Sequence, residues 1–410
     1  MKRMKFLAAS ILILTLGLSF ANEEDKTLRL HIGNKNLKDK VMAVSPGKIY
    51  SAEKGEAVSF ASMIQDMDKS RLVYVGETHN SLPMHQIQDR IIQALYEQDR
   101  NISVGLEMYP ITYQEVLNKW SLGILKEEKF LQEGQWYVNW NLNFGYYEDI
   151  FKFVKEMSLP LFALNVPREI ISKIRIKGWD ALSEKEKEMV PEPDLSNQDH
   201  RTLIRTIFES TTLPHQMKGK GLEMAFEGLY RAQVAWDETM AFYALRALKK
   251  EGGKIVVLAG SGHMIYNLGI NLRAYEKSRL PFKTLVCVVV PEKEKSVEVS
   301  RSLADYVWGL PEEIRPAFPS VGLSLAKFDG LENLVIEEKP FDGAAQIAGF
   351  DKGDVVLSVE GKEFTGINEL RLFLARFGWG DQVKFRVLRD AQEKEIPMKF
   401  EMTEEENDKQ

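Results

Sequence analysis

The chain has 410 residues, 44% hydrophobic and 28% charged, with a formal charge of −6, which bounds it to a folded protein of two or three domains. The acidic balance makes nucleic acid a poor partner. The only cysteine, Cys287, leaves no pair for a disulfide within the chain.

The first residues, MKRMKFLAASILILTLGLSFANEED, join a basic start to an apolar run from Phe6 to Leu18, then Ser19 and Ala21. That is the pattern of a secretory signal peptide, residues 1–21, cleaved after Ala21. Removing Lys2, Arg3 and Lys5 with it takes the formal charge from −6 to −9. The run is too short for a comfortable bilayer span, and no other segment is long enough. With no cysteine near the cleavage site to carry a lipid, the expectation is a soluble, exported, periplasmic protein with no membrane span after cleavage. Residues 22–54 read as an N-terminal extension.

Five short apolar runs follow: Leu72–Val75, Ile102–Leu106, Leu159–Leu164, Ile255–Ala259 and Leu285–Val290. Amphipathic stretches such as QIQDRIIQALYEQ and RAQVAWDETMAFYALRALKK separate them. Continuous apolar strands alternating with helices predict an α/β fold, a mostly parallel sheet flanked by helices. The ends of the runs are polar: Glu77 and His79 after the first, Glu107 after the second, Asn165 and Arg168 after the third, His263 after the fourth. In open α/β sheets the ligand crevice lies beyond the carboxyl ends of the strands, so these groups are expected to converge.

Two Gly-x-x-His patterns, GETH at Gly76–His79 and GSGH at Gly260–His263, each follow a strand-like run. Two carboxylates and two imidazoles, Glu77, His79, Glu107 and His263, could ligate a divalent zinc, manganese or cobalt ion. Without metal, His79 could act as a general base oriented by a carboxylate. Solvated loop residues are the bland alternative. His85 either faces the same crevice or only builds the first turn of its helix. Arg168 and Asp237 read as an anion clamp and an orienting partner, or as ordinary salt bridges. His31, His200 and His215 lie in polar surroundings and read as bystanders.

From Trp136 to Tyr147, WYVNWNLNFGYY places six aromatics in twelve residues. They either fill a local core or make an apolar wall for a flat ligand, with Trp136, Tyr137 and Trp140 as its contacts. SEKEKEMVPEPDLSNQDH reads as a solvated connection. Beyond a linker at 311–319, residues 320–403 form short alternating strands with glycine punctuation and one helix near Gly366–Phe377, ahead of an acidic tail at 404–410. This second module carries its own strands and turns and is expected to fold by itself.

LVYVGETHNSLPMHQIQDRIIQAL, VGLEMYP, ALNVPREI, RAQVAWDETMA and VLAGSGHM resemble, in order, the motifs of the ChaN-like family of the TraB/Tiki superfamily, whose relatives include metal-dependent Tiki proteases and erythromycin esterases. The resemblance spans residues 55–310. It implies haem binding in iron uptake, with Glu77, His79, Glu107 and His263 as site residues and haem as the cofactor. Arg168 would stand beside the aromatics as a cofactor contact. Many ChaN-like proteins are lipoproteins, a point on which this chain departs. VGLSL, LVIEEKPFDGAAQIAGFDKGDVVLSVEGKEFTGINELRLFL and GDQVKFRVLRD resemble a bacterial PDZ domain. That resemblance implies capture of a C-terminal peptide or protein partner by addition to a sheet edge. Gly322, Leu323, Ser324 and Leu325 match its carboxylate-binding loop, and Asp354 reads as a turn residue. The expected function is an exported haem-binding protein with a recruiting PDZ module. The alternative is a metal-dependent hydrolase acting on a peptide or ester.

Overall fold

A computed structural model describes residues 26–211 and 219–402. The segment read as a signal peptide, residues 1–21, the acidic tail at 404–410 and His215 lie outside the described residues. The chain divides into two compact units. The first comprises Met1–His79, Ile87–Gln114 and Leu159–Glu312; the second comprises Asn80–Gln86, Glu115–Ser158 and Glu313–Gln410.

In the first unit, strands β1 (Val41–Val44) and β9 (Val297–Ser300) form an antiparallel pair. The main sheet is built from β2 (Ile49–Ser51), β3 (Glu56–Val58), β4 (Leu72–Glu77), β5 (Ile102–Pro110), β6 (Leu161–Asn165), β7 (Lys254–Gly260), β8 (Phe282–Val290) and β10 (Tyr306–Pro311). Its order is β3-β2-β10-β8-β4-β7-β5-β6. Every pairing from β10 to β6 is parallel, and β2 and β3 add antiparallel at one edge. All five apolar runs are strands of this parallel region, as a sheet covered on both faces requires. In β4 and β7 every residue is buried.

The covering helix Lys220–Glu251 is 32 residues long. Alanines 232, 235, 241, 244 and 247 are among its buried positions, and such small side chains let its backbone lie close to its neighbours. Gly252, at φ +77°, ends it in a backbone conformation that costs glycine little. Gln233 and Asp237, four residues apart on this helix, share a face.

The second unit contains an antiparallel sheet, β11 (Leu325–Ala326), β12 (Leu334–Ile336), β13 (Val355–Val359), β14 (Gln382–Arg389) and β15 (Gln392–Lys399), in that order. Helices Gly343–Ala348 and Ile367–Leu374 accompany it. Leu323, Leu325, Leu370, Leu374, Phe385 and Met398 are part of its core. The aromatic segment belongs to this unit too. Trp136 contacts Phe144, Tyr147 and Phe151 edge-on at 5.1–5.7 Å between ring centres. Its indole N–H donates to Leu142 O at 2.7 Å.

A candidate site at the strand ends

Strands β4, β7 and β5 are neighbours, and polar groups lie at or near the point where their pairing ends. Glu77 is the last residue of β4, opposite Gly260, the last residue of β7. Glu107 lies one residue past the Leu106–Leu258 pairing of β5 with β7. His263 closes the single turn Ser261–His263 that follows β7. All four expected residues are buried at this end of the sheet: Glu77, His79, Glu107 and His263.

The first loop is held by near neighbours in sequence. His79 Nδ1 lies 2.9 Å from Glu77 Oε1. Gln88 Nε2, eleven residues on, donates to Glu77 Oε2 at 2.7 Å and to Val75 O at 3.0 Å. Gly260 makes room for the imidazole. A Cβ there would stand 2.8 Å from His79 Cε1 and 3.7 Å from Glu107 Oε2, so the ring and that carboxylate flank the same glycine.

The second loop is held from far away. His263 Nδ1 is 2.6 Å from Asp237 Oδ1, and the Gln233 amide is 2.8 Å from the same nitrogen. His263 Nε2 is 3.4 Å from Glu107 Oε1. Gly260 N–H donates to Glu107 Oε2 at 2.7 Å. Behind Asp237 stands His200, its Nε2 3.3 Å from Asp237 Oδ2. Arg273 Nη2 donates to His200 Nδ1 at 3.2 Å. An arginine can only donate, so His200 Nδ1 accepts and the proton of the neutral ring sits on Nε2, facing Asp237.

The electrostatics follow from these distances. Burial opposes charge on His263, but Glu107 and Asp237 outweigh it and push its pKa up to about 10. Burial alone would raise Asp237; the His200 contact and the charge on His263 bring it down to about 2. Glu107 is likewise lowered, the cationic His263 overcoming its burial. His200 moves the other way: burial lowers it, more than Asp237 can restore. The chain Arg273⁺, neutral His200, Asp237⁻, His263⁺, Glu107⁻ alternates in sign and ends at the strand tips.

This geometry corrects two expectations. Among the described residues, no group of three or more His, Cys, Asp or Glu side chains is arranged to hold a metal ion. The physical reason is that both nitrogens of His263 already face carboxylates of the chain. His200, read as a bystander, is completely buried inside the network. Asp237 orients His263, the sharper of its two readings.

Arg168 begins helix Arg168–Lys177 and is half-buried. Burial lowers its pKa while Glu169 and Glu107 oppose that fall, so its charge is felt at the site. Trp136, Tyr137 and Trp140 lie in the second unit and are 0–7% exposed, interior members of the aromatic cluster. His85 is also in the second unit, buried with its ring 4.1 Å from that of Tyr147. His31 pairs with Asp39 at the surface. Gly322, at φ +74°, packs so closely on Asp342 that a Cβ would meet its carbonyl oxygen at 2.1 Å. Leu323 and Leu325 point into the core of the small sheet, and Ser324 O accepts from Glu337 N. Asp354 is buried and paired with Arg389.

The missed residues left faint signals. Gln233 sits four positions before Asp237, the spacing of one helix face. Gln88 lies on helix Leu82–Gln98, which begins three residues after His79. Nothing in the polar setting of His200 betrays it.

The model of the haem-binding uptake family, Tiki superfamily, ChaN, matches residues 63–273, and a PDZ domain model matches residues 319–400. The chain is 24% identical over 254 residues to RETICULATA-RELATED 5, chloroplastic, of Arabidopsis thaliana, covering 58% of this chain and 34% of that protein. It is 28% identical over 119 residues to a probable periplasmic serine endoprotease, DegP-like, of Rickettsia prowazekii, covering 29% of this chain and 22% of that one. The chain thus spans about a third and about a fifth of these two curated relatives. Among solved structures, one described as cofacial heme binding to ChaN of Campylobacter jejuni is 21% identical, with a TM-score of 0.49, covering 63% of this chain and 95% of that one.

Proposed function

Because this chain belongs to the haem-binding uptake family of the Tiki superfamily, ChaN, and carries a C-terminal PDZ domain, we propose that it is an exported haem-binding protein of haem or iron uptake. Its PDZ module recruits a peptide or protein partner. The family match over residues 63–273 carries the reading. Export rests on the signal-like start of the chain. No helix among the described residues is long and apolar enough to cross a membrane.

The residues fit haem at its carboxylate end. Arg168, half-buried at the start of its helix and close enough to Glu107 for its charge to be felt there, is the residue we assign to a haem propionate. Trp136, Tyr137 and Trp140 are enclosed among neighbouring aromatics, as the local-core reading of that run expects. Haem, when bound, supplies the iron; the chain's residues bind and orient its ring. Ferric haem titrated into the mature protein is expected to give a shifted Soret band. The shift should weaken in Arg168→Ala. A spectrum that stays that of free haem at high protein concentration overturns the reading.

A second reading, hydrolysis of an ester or peptide, is favoured by one observation: His79 is oriented by Glu77 as a general base would be. Purified protein assayed against p-nitrophenyl esters and fluorogenic peptides tests it. Turnover lost in His79→Ala supports hydrolysis; none above buffer rejects it.

A further inference from the structure

In the small sheet, β11 is an edge strand, paired only with β12 among the described residues. Helix Ile367–Leu374 flanks that edge. Leu325 of β11 shares a core with Leu370 and Leu374 of the helix, and Ile367 packs against it. Lys327 Nζ, just past the strand, donates to Thr365 O at 2.7 Å, two residues before the helix. A peptide added to the open edge would lie beside this helix.

An adjacent face of the helix is occupied from within the same unit. Asn368 is buried, and its amide is used at both ends: Oδ1 accepts from Tyr137 N at 3.0 Å, and Nδ2 donates to Leu131 O at 3.1 Å. Arg371 Nη1 donates to Tyr137 O at 2.6 Å, and Asn143 Nδ2 donates to Ala375 O at 3.1 Å. Positions 368, 371 and 375 fall on one face of the helix. The linker is seated on the same segment. A Cβ on Gly145 would stand 2.3 Å from Phe318 Cζ, and the Phe318 ring meets Tyr146 edge-on at 4.9 Å. Trp379 Nε1 fixes the linker from the sheet side through Pro316 O at 2.9 Å.

We infer that the segment Leu131–Tyr147 is a built-in brace for the peptide-flanking helix, so that peptide capture by the PDZ domain is transmitted to the aromatic segment. The inference rests on the proposed recruitment function. A helix fixed by the peptide along one face holds the Asn368 and Arg371 bonds more firmly along the next. A buried amide with both ends satisfied has no equally good alternative position, so it conveys displacement instead of absorbing it. The Tyr137 N–H, donated to Asn368, is the natural reporter.

Hydrogen exchange of the full mature chain, followed by mass spectrometry, tests this with four synthetic decapeptides ending in Ala, Val, Leu or Phe. A peptide that protects residues 323–327 should also slow exchange across 131–147, by about threefold or more if opening of the brace controls exchange there. In Asn368→Ala the same peptide should protect the edge strand while 131–147 no longer responds. Arg371→Met, which leaves the buried amide in place, should give a partial response and covers the case in which the first variant does not fold. Protection of 323–327 with no change at 131–147 in the parent chain overturns the inference and leaves recruitment standing. No protection by any of the four peptides overturns both.

Discussion

The two Gly-x-x-His loops are nearly interchangeable as sequence and are built on different principles. His79 is held by Glu77, two residues away, and the brace on that carboxylate, Gln88, comes from the next helix. His263 is held by Asp237 from the long helix and by Glu107 from another strand, at separations of 26 and 156 residues. The first imidazole is bonded to a carboxylate that its own strand delivers and also feels the charge of Glu107. The second is locked between two, inside a chain of alternating charge that continues through His200 to Arg273. A motif therefore places a side chain at a strand end, while its chemical state is set by whatever the rest of the fold brings to it.

The largest effect should follow from cutting the long-range network at its centre. Asp237 is fully buried and faces His263, His200 and Arg273 together. Asn in its place keeps one acceptor oxygen but turns an NH₂ toward a second donor, and it strands the charge on His263. Breaking a buried ion pair by removing one partner costs about 3–5 kcal/mol. Asp237→Asn should lose that much in urea denaturation, and an unchanged midpoint would show that the network carries no weight.

Next comes pH. Unfolded, His263 titrates near 6.5; folded, it titrates near 10. The folded state holds the proton more tightly, so this stabilisation is full below 6.5 and is lost as pH rises through 10. Asp237 runs the opposite way, from 3.8 unfolded to about 2 folded: its contribution is present above 3.8 and is lost as pH falls through 2. Stability should decline from neutral pH toward 10 with a slope of no more than about 1.4 kcal/mol per pH unit from this one proton. His263→Gln should flatten that limb. Equal slopes in the two proteins would remove His263 as its source.

Gly260 joins the two halves of the comparison, because its missing Cβ is the space His79 uses beside Glu107. Gly260→Ala forces the ring or the strand end to move, an overpacking cost of about 1–3 kcal/mol. The imidazole signals of His79 in a ¹H–¹⁵N spectrum should shift while those of His200 stay in place. Matching shifts in both rings would mean that the two loops form a single network.

How much of this could be read beforehand depended on the range of the interaction. Five of the six parallel strands were legible because a strand buried on both faces is continuously apolar, as in LVYV and IVVLA. Glu77, His79, Glu107 and His263 were legible because strand ends in such sheets point to one crevice. β2, β3 and β10 carry no comparable signal: β2 and β3 have three residues each, and β10 runs into Pro311. Asp237 was visible as a candidate, but its partner was not, since pairing with His263 depends on the register of a 32-residue helix against the sheet. His200 was set aside for its neighbours in SNQDH. Asn197 caps the helix N-terminus through His200 N, so the polar run reflects a helix start and says nothing about the face on which the imidazole lies. The aromatic run showed its composition but not its attachment, because the bonds to Asn368 and Arg371 span more than 230 residues.

The smallest expected effect lies on the local side of the comparison. Gln88 donates through Nε2 to Val75 O and to Glu77 Oε2. Gln88→Leu removes them while nearly conserving volume. Glu77 keeps His79 on its other oxygen, so the carboxylate is not stranded as His263 would be without Asp237. The loss should be about 2 kcal/mol, for one neutral hydrogen bond and one to a carboxylate whose other oxygen stays paired. The ring of His79 should become more mobile on the nanosecond scale, read from side-chain ¹⁵N relaxation, with His263 unaffected. If Gln88→Leu costs as much as Asp237→Asn, the first loop depends on its surroundings as heavily as the second, and the distinction between a locally held and a remotely held histidine fails.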